Sequence, residues 1–269
     1  MPELPEVECV IRALKPNLIG QKIEDIDVRY DRMILEDVSS FKSNLINHTF
    51  VDIKRRGKFI IFCLNDDTYL VSHLRMEGKL FLEEKNSMDN KHIHVIIHLS
   101  DYDLYYQDVR KFGIMVTKTK DTLFTTEPLN HLGKDPIEGV DNNIIFDKIH
   151  KKRIPIKESL LDQSIMSGLG NIYVDEVLFT SHVSPYRPSN MVTKEEIDCI
   201  IEESRKIFLK SIELGGSTIK SFTSSKNHAG SFQDYLKVHT KNVCPVCGQK
   251  LLYEKLGGRG TYYCNKCQH

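Results

Sequence analysis

The chain has 269 residues with 37 basic and 37 acidic side chains, so its formal net charge is zero. Apolar residues make up 40% of the chain, which excludes a disordered polypeptide and is enough for more than one folded core. The length favours two domains, and the balanced charge excludes a protein that is basic over its whole surface. One basic segment stands out, because residues 237–269 contain six Lys or Arg and one Glu.

The N-terminus, MPELPEVECV, lacks the basic flank, apolar run and small-residue cleavage site of a secretory signal. No stretch approaches the apolar length that a membrane span needs. Cys9, Cys63 and Cys199 are isolated, and the total of seven cysteines is odd, which argues against a disulfide framework. We therefore expect a cytoplasmic protein with reduced cysteines and no membrane contact.

In the N-terminal half, one helix precedes a series of strands. Residues 5–19 are predicted to be helical because Val7, Val10, Ile11 and Leu14 recur on one face and Gly20 follows as a C-cap. From about residue 22 to 118, short segments rich in Val, Ile, Tyr and Phe alternate with turns. These segments are KIEDIDVRY, TFVDIKRR, KFIIFCL, TYLVSHLRM, HVIIHL and DLYYQDV. Six or more strands with a single helix predict a β-sandwich or barrel.

The C-terminal half is predicted to be helical before it ends in a small metal module. Residues 121–150, which include Pro128, Gly133, Pro136 and Gly139, are interpreted as an irregular linker. Helical patterns follow in IKESLLDQ, GNIYVDEVLFTSH and TKEEIDCIIEESRKIFLKSIEL. Residues 215–235 are rich in Ser, Gly and Asn and are predicted to form a mobile loop.

Four cysteines near the C-terminus have the spacing of a zinc site. Cys244 and Cys247 form one CxxC pair, sixteen residues follow, and Cys264 and Cys267 form the second pair. Two such pairs place four thiolates around one tetrahedral Zn²⁺, and because protein fills every position, we expect a structural zinc. A redox role is disfavoured because no βαβ pattern surrounds either pair. Two unrelated cysteine pairs are the remaining alternative.

The residues between the two cysteine pairs predict a β-hairpin with Arg259 near its tip. Strand-like segments flank Gly257, Gly258, Arg259 and Gly260, and these glycines allow another molecule to approach the backbone closely. A charged side chain on a rigid ribbon suits a phosphate or a nucleic-acid groove. The alternative is an ordinary solvated turn residue.

The dipeptide Pro2-Glu3 has the functional groups of a Schiff-base catalyst. Removal of Met1 would leave Pro2 as a secondary amine at the chain start. An α-amino group has a pKa near 8, so roughly a tenth of it is neutral at pH 7 and able to act as a nucleophile. Glu3 offers a carboxyl group for proton transfer beside it. Many proteins begin with Met-Pro, so composition alone leaves an ordinary N-terminus open.

Five segments in chain order carry a resemblance to a known family. They are PELPEVE at 2–8, HLRMEG at 73–78, DVRKFG at 108–113, GLGNIY at 168–173 and GRGT at 258–261. Together with the four cysteines, these segments resemble the formamidopyrimidine-DNA glycosylases, and they span nearly the whole chain. Sister enzymes that excise oxidised pyrimidines, the endonuclease VIII branch, share the architecture. They usually carry Gly where Leu4 stands and lack the Arg110–Phe112 pair.

The resemblance implies an α+β multidomain fold. It implies an N-terminal β-sandwich with a leading helix at 1–120, the linker at 121–150, a helix–two-turn–helix domain with the mobile lesion loop at 151–235, and a zinc β-hairpin at 236–269. Double-stranded DNA is expected to lie in the cleft between the two larger domains. We expect a monomer that holds one structural zinc and needs no other cofactor.

The resemblance also implies a bifunctional glycosylase and lyase reaction on duplex DNA that contains an oxidised purine. The damaged nucleotide must leave the helix, because the duplex shields its glycosidic bond. Pro2 would attack the sugar carbon that bears the base, and Glu3 would protonate the ring oxygen, with Glu6 in a supporting role. β- and δ-elimination would then expel both phosphates and leave a one-nucleotide gap. Lys58 and Arg259 complete the implied catalytic set.

Other residues are implied to contact the DNA backbone without reading its sequence. His73, His92 and Asn171 match such positions, and Asn171 stands at a glycine-rich helix start, where backbone N–H groups favour anions. One departure from the family lies in this group. The usual Tyr-Gly pair near the DNA backbone is replaced by His239-Thr240, which puts that local contact in doubt.

Three further residues are implied to fill the space that the flipped nucleotide leaves. They are Met76, Arg110 and Phe112, although strand hydrophobes such as Met76 and Phe112 are more often core residues. Glu77 and residues 215–235 resemble elements that surround the extruded base, which gives Glu77 a role in lesion recognition.

Two other functions stay open at this point. A non-catalytic zinc-ribbon protein would bind DNA without cutting it, and a retained Met1 or a blocked Pro2 would favour that reading. An enzyme of the sister branch would prefer oxidised pyrimidines. Comparison of 8-oxoguanine with thymine glycol as substrates separates the two branches.

Overall fold

The computed structural model describes residues 1–217 and 230–269, so most of the loop predicted at 215–235 lies outside the described residues. The chain divides into two compact units. The N-terminal unit comprises Met1–Asn130 with Gly215–Gly230, and the C-terminal unit comprises His131–Leu214 with Ser231–His269. Within the described residues, no helix combines the length and apolar character that crossing a bilayer requires. The domain limits given above remain predictions.

The N-terminal unit is a β-sandwich with a leading helix, which confirms the predicted architecture. Its helices are α1 (Leu4–Leu18) and α2 (Val38–Leu45). Its strands are β1 (Ile23–Val28), β2 (Phe50–Arg56), β3 (Phe59–Leu64), β4 (Thr68–His73), β5 (Lys79–Glu84), β6 (Ile93–Leu99), β7 (Tyr102–Gln107) and β8 (Ile114–Thr119). One sheet has the order β1-β6-β7-β5 and the other β2-β3-β4-β8, and every pairing in them is antiparallel.

A single apolar core fills the space between the two sheets and α1. The apolar face of α1 contributes Val7, Val10, Ile11 and Leu14, all buried, and the helix packs against β2, β3 and β5. Because the core fixes α1 along its length, the residues at its N-terminal end are held against the sandwich rather than fraying.

The sequence analysis missed helix α2 and was wrong to assign a single helix to this half. The segment is short and mostly polar, but Asp37 caps it by accepting a hydrogen bond from Ser40 N at 2.9 Å. Phe41 and Leu45, one turn apart, are fully buried in the core. Strands β5 and β8 also lie outside the six predicted segments, so the described residues of the sandwich form eight strands.

The C-terminal unit contains four helices and the predicted β-hairpin. They are α3 (Asn142–His150), α4 (Ile156–Leu161), α5 (Asn171–Thr180), α6 (Lys194–Glu213), β9 (Leu252–Leu256) and β10 (Arg259–Tyr263). Helix α5 is the centre of this unit, because eight consecutive residues from Ile172 to Phe179 are buried and it packs against α4, α6 and β10. The three predicted helical segments are therefore confirmed.

Two loop predictions need correction in this unit. Helix α3 lies inside the interval 121–150 that was interpreted as irregular; Asp141 caps it, and Ile145 and Ile149 form a buried i, i+4 pair. At the end of the interval 215–235, Phe232–Tyr235 forms a short 3₁₀ helix. The Phe232 ring stacks on Tyr173 with centroids 5.5 Å apart, so tertiary packing orders a segment whose composition favours a loop.

Candidate active site and zinc site

The start of α1 is a buried, hydrogen-bonded structure. Pro2, Glu3 and Glu6 are all buried, with only 2% of Glu3 exposed. Glu3 and Glu6 form a capping box, in which Glu3 N donates to Glu6 Oε2 at 2.9 Å. The other oxygen of the Glu6 carboxylate accepts hydrogen bonds from Ser217 N and Ser217 Oγ at 2.8 and 2.9 Å. Glu6 thus fixes the backbone of Glu3, and with it the position of Pro2.

A salt bridge connects α1 to the turn that carries Lys58. Gly57 and Lys58 join β2 to β3, and Lys58 is 7% exposed. Arg55 donates from Nε to Glu8 Oε2 at 3.2 Å and from Nη1 to Gly57 O at 3.0 Å. One guanidinium therefore contacts both α1 and the turn that carries Lys58. No pattern in the sequence had indicated a role for Arg55.

His73 ends β4 beside this turn as a neutral hydrogen-bond donor. It pairs with Phe59 in the sheet, and the two rings meet edge to face with centroids 4.4 Å apart. Arg75 N donates to His73 Nδ1 at 2.8 Å, which assigns the ring proton to Nε2. Burial, and then the charges of Arg75 and Lys58, lower the pKa of His73 to about 3. The ring can offer Nε2–H without carrying charge.

Tyr106 brings two of the sequence motifs together. Its hydroxyl donates to His73 O at 3.2 Å, and its ring is fully buried. A Cβ at Gly78 or at Gly113 would overlap the Tyr106 side chain, so both motifs need glycine where they approach it. In the turn from His73 to Gly78, Met76 is 37% exposed and Glu77 is half-buried.

Asp108 shapes the loop that presents Arg110 and Phe112. Its carboxylate, fully buried, accepts hydrogen bonds from the backbone N–H groups of Arg110, Phe112 and Gly113 at 2.9, 2.9 and 2.8 Å. Asp108 N donates to His92 O at 2.9 Å, which places His92 beside the same loop. The DVRKFG motif included Asp108, but the sequence analysis gave it no role; an Asp followed by a short polar loop is a turn signal that could have indicated one.

The side chains of Arg110 and Phe112 stack on each other at the surface. Arg110 Cζ lies 4.8 Å from the centroid of the Phe112 ring, and Phe112 is 51% exposed. An exposed aromatic ring on a loop is unlike the core role that strand hydrophobes usually have. The planar guanidinium of Arg110 and the Phe112 ring are therefore exposed together at the surface.

In the C-terminal unit, Asn171 and Arg259 lie close together. Asn171 begins α5, and its Nδ2 donates to Gly260 O at 2.9 Å. Arg259 begins β10 and is exposed. Within the described part of the chain, Asn171 Oδ1 has no hydrogen-bond partner although it is buried. The side-chain amide therefore links the start of α5 to the hairpin beside Arg259.

His239 and Thr240, which replace the family's usual Tyr-Gly pair, differ in their surroundings. His239 is 7% exposed, and its Nδ1 lies 2.8 Å from Asp175 Oδ2. Its backbone N–H donates to Glu176 Oε1 at 2.7 Å. Thr240 has a φ of 63°, in the left-handed region that glycine adopts without strain. The His239 ring thus makes an internal contact in the C-terminal unit.

The four predicted zinc ligands form one compact cluster. Cys244 Sγ lies 3.8 Å from Cys267 Sγ, and Cys247 Sγ lies 3.6 Å from Cys264 Sγ. All four ligand atoms lie within 4.8 Å of one another. Zn–S bonds of about 2.3 Å in a tetrahedron separate the sulfurs by about 3.8 Å, so the donor set fits Zn²⁺. The site is structural, because four protein thiolates leave no open position.

Comparison with known proteins agrees with both units. Residues 1–115 match the formamidopyrimidine-DNA glycosylase N-terminal domain, residues 132–223 the formamidopyrimidine-DNA glycosylase H2TH domain, and residues 241–269 the zinc finger found in FPG and IleRS. The chain belongs to the formamidopyrimidine-DNA glycosylase family.

Similar proteins cover the whole chain. A formamidopyrimidine-DNA glycosylase from an Exiguobacterium species is 45% identical, over 100% of this chain and 99% of its own. The Lactococcus lactis FPG, solved in complex with DNA that contains Fapy-dG, is 38% identical with a TM-score of 0.92 over 99% of both chains. The same protein solved with DNA that contains an abasic site has the same identity and TM-score over 100% of both chains.

Removal of zinc is expected to unfold the hairpin and leave the β-sandwich folded. A structural metal organises the segment that it ligates, and the sandwich core includes none of the four cysteines. Cys264→Ser should have the same effect, whereas Cys199→Ser, at an exposed cysteine outside the cluster, should have none. Hydrogen exchange of the backbone amides in β3 reports on the sandwich, and hydrogen exchange in β10 reports on the hairpin. Zinc-free protein with an intact hairpin would contradict this prediction.

His73→Asn is expected to reduce the dependence of stability on pH. The pKa of His73 is lowered to about 3 in the folded protein, so between pH 6.5 and 3 only the unfolded chain takes up this proton. The free energy of unfolding of the wild-type protein should therefore decrease as the pH is lowered through this window. His73 accounts for at most about 1.4 kcal/mol of this decrease per pH unit.

The free energy of urea unfolding, measured from pH 7.5 to 4.5, tests this. The deficit of His73→Asn relative to wild type should shrink as the pH falls. His150→Asn removes a histidine at an exposed position of α3 and serves as the control. Parallel curves for wild type and His73→Asn would show that folding does not lower the pKa of His73.

Proposed function

We propose that this protein is a bifunctional DNA glycosylase and AP lyase that removes oxidised purines from duplex DNA in base excision repair. The observation that carries the proposal is the Pro2-Glu3 pair, buried at a capped helix start in a chain of this family. The names and complexes of the similar proteins support the substrate class, since they include Fapy-dG and abasic DNA.

The chemistry begins with the Pro2 nitrogen, once Met1 has been removed. About a tenth of an α-amino group is neutral at pH 7, and this fraction attacks the sugar carbon that bears the base. The base leaves with the electron pair of the broken C–N bond and takes up a proton. Glu3 protonates the sugar ring oxygen as the bond between that oxygen and the attacked carbon breaks, and the Pro2 nitrogen, which has lost its own proton, supplies the electron pair of the new C=N bond. The result is an iminium between Pro2 and the opened sugar.

The iminium also accounts for strand cleavage. The iminium makes the C–H bond of the neighbouring sugar carbon acidic. Loss of a proton from this carbon expels the 3′ phosphate by β-elimination, and a second proton loss further along the opened sugar expels the 5′ phosphate by δ-elimination. The capping box supports these steps, because Glu6 holds the Glu3 backbone in place while the sugar changes shape. This sequence requires proton transfers only, and no electron acceptor.

The surrounding cations and donors suit the DNA backbone. Lys58 offers an ammonium and His73 a neutral Nε2–H beside it, while His92 lies next to the Asp108 loop. The C-terminal unit offers Arg259 on its hairpin and the Asn171 amide at the start of α5 beside it. Contacts of this kind bind phosphates irrespective of sequence, which repair of scattered lesions requires.

Exposed residues on the N-terminal unit suit a flipped-out nucleotide. Met76 and Phe112 expose apolar surface on neighbouring loops, and Arg110 stacks on Phe112. We assign all three to the space that the nucleotide leaves, where apolar groups offset lost base stacking. Glu77 is half-buried beside Met76 and is assigned to the extruded base together with the loop 215–235, of which residues 218–229 lie outside the described residues.

Purines are favoured over pyrimidines by two features of this chain. Leu4 stands where the pyrimidine branch usually has Gly, and the Arg110–Phe112 pair is present. Because duplex DNA is the proposed substrate and the similar glycosylases are from bacteria, we also propose the cytoplasm as the place of action. A non-catalytic DNA-binding role is disfavoured by the buried, capped Pro2-Glu3 pair, which binding alone does not require.

Borohydride should trap a covalent adduct between the protein and an 8-oxoguanine duplex, and the adduct should map to Pro2. Pro2→Gly should damage turnover while leaving binding to an abasic analogue mostly intact, because the variant loses the secondary amine but keeps the DNA contacts. An adduct on a lysine with Pro2 unmodified would overturn the assignment. Faster excision of thymine glycol than of 8-oxoguanine would instead place the chain in the pyrimidine branch.

Glu3→Gln separates the two activities of the same site. It should slow base removal more than cleavage of a pre-formed abasic site, because the hemiacetal sugar of an abasic site opens to the aldehyde without the enzyme. Single-turnover rates on both substrates measure the difference. Equal slowing on both would show that Glu3 acts on a step that the two reactions share.

Arg110 should make excision depend on the base opposite the lesion. An unpaired cytosine presents two adjacent acceptors, which a guanidinium can satisfy together, whereas adenine presents an acceptor beside a donor. A bidentate contact is worth about 1–3 kcal/mol, or roughly five- to 150-fold. Arg110→Ala should therefore narrow the rate difference between lesion:C and lesion:A duplexes, chiefly by slowing the former.

Two further variants make this measurement specific. Met76→Ala should slow both duplexes, because Met76 fills space and does not read the opposite base. Lys111→Gln removes the neighbouring cation, which lies over Tyr30, and should preserve the ratio. If wild type cuts both duplexes equally, or if Arg110→Ala leaves the ratio unchanged, Arg110 is another phosphate contact.

A further inference from the structure

Lys157 is a fully buried cation whose three ammonium N–H groups are all used. It lies in the first turn of α4, with none of its surface exposed. Its Nζ donates to Asp175 Oδ1 at 2.7 Å, to Thr261 Oγ1 at 2.9 Å and to Gly260 O at 3.1 Å. We call Lys157, Asp175, Gly260 and Thr261 the Lys157 network. A buried charge of this kind is costly unless its partners are fixed, so the network is rigid.

The Lys157 network meets Asn171 at a single carbonyl oxygen. Gly260 O accepts from Lys157 Nζ and also from Asn171 Nδ2, at 2.9 Å. Gly260 directly follows Arg259 in β10. The backbone beside Arg259 and the side chain of Asn171 are therefore held by the same acceptor, and these are the two residues of this unit that we assign to phosphate contacts.

The opposite side of Asp175 is anchored as well. Asp175 Oδ2 lies 2.8 Å from His239 Nδ1 and accepts from Tyr262 N at 3.3 Å. The neighbouring Glu176 carboxylate accepts from three successive backbone N–H groups at 237–239. Asp175 would thus keep two donors if Lys157 were replaced by an uncharged side chain.

The zinc by itself cannot fix the position of Arg259. Cys264 and Arg259 are five residues apart on one extended strand, which is about 17 Å. A two-stranded hairpin is marginally stable in isolation and twists easily. The metal holds the base of the hairpin, and the Lys157 network holds the end that carries Arg259.

We propose that Lys157 is a positioning residue that fixes Arg259 and Asn171 for binding one phosphate group of DNA. The proposal rests on the proposed function. Lys157 has no exposed surface, so it acts through Gly260 and Thr261 and does not touch the DNA itself. Lys157 holds the hairpin end that carries Arg259 in one conformation, so this end loses less conformational entropy when DNA binds.

A double-mutant cycle on affinity for duplex DNA with an abasic analogue tests the proposal. Lys157→Met keeps the length of the side chain and removes its charge. Lys157→Met and Arg259→Ala should each lower affinity roughly 10-fold or more, and each should reduce the salt slope by about one unit. The double variant should lose less affinity than the sum of the two single losses, because the Arg259 contact is part of what Lys157→Met removes.

The salt slope separates positioning from general structural support. A lysine that is buried in the protein does not contact DNA and displaces no counterion from it. A lower salt dependence of affinity in Lys157→Met would therefore report the loss of a phosphate contact made by another residue. Zinc content must remain at the wild-type value. Lys206→Met, at an exposed lysine of α6 that pairs with Glu203, is the matched control and should bind like wild type. If Lys157→Met fails to fold, Thr261→Val removes one acceptor of the network and enters the same cycle.

Additive losses of affinity, or a Lys157→Met variant with wild-type affinity and slope, would overturn the positioning role. Both outcomes leave the proposed function intact if Arg259→Ala itself weakens binding. If Arg259→Ala binds like wild type with an unchanged slope, the phosphate assignment of Arg259 is wrong, and the inference falls with it. Borohydride trapping at Pro2 is measured on the same variants and reports on the glycosylase reaction separately.

Discussion

An ionised carboxylate can be buried only if hydrogen-bond donors replace its lost water, and several such groups in this chain take their donors from loop backbone. Glu6 accepts from the N–H groups of Glu3 and Ser217, and Asp108 accepts from three N–H groups in the Arg110 loop. Glu176 accepts from three more at 237–239. A loop that moved away would leave a buried carboxylate without its hydrogen-bond donors, so each loop keeps one conformation. The residues that we assign to catalysis and DNA contacts are placed by this constraint.

The same reasoning explains how a chain of zero net charge can suit a polyanionic ligand. Its charges are separated by burial: acids such as Glu6 and Asp108 lie inside, whereas Arg110 and Arg259 lie at the surface. His73 contributes a neutral N–H because its burial and two neighbouring cations lower its pKa. Local potential, and not the sum over the sequence, governs the approach of DNA.

Two kinds of anchor support the hairpin of the C-terminal unit. The thiolate cluster fixes one end through metal ligation, and the buried Lys157–Asp175 pair fixes the other through hydrogen bonds to Gly260 and Thr261. A metal site alone stabilises the segment between its ligands, and a short β-ribbon beyond it is free to twist. His239 takes part through Asp175, which gives the departure from the family's Tyr-Gly pair a structural role in this chain.

The sequence by itself determined the class of each element with a strong local pattern. The periodicity of α1 and α6, the Val-, Ile-, Tyr- and Phe-rich composition of the six predicted strands and the cysteine spacing depend on neighbours within a few residues, and all were predicted correctly. Short elements were missed: α2 and α3 have only 8 and 9 residues, too few for a clear periodicity, so packing of Phe41 or Ile145 against distant partners decides their structure. β5 and β8 were missed in the same way.

The motif residues could be named from the sequence, but their partners could not. Nothing local indicates that the Tyr106 ring lies against both Gly78 and Gly113, or that the Asp108 carboxylate holds the Arg110 loop. Lys157 and Gly260 are 103 positions apart in the chain. A buried polar group is satisfied by whatever donor or acceptor the fold brings within 3 Å or so, and only the tertiary structure decides which residue that is.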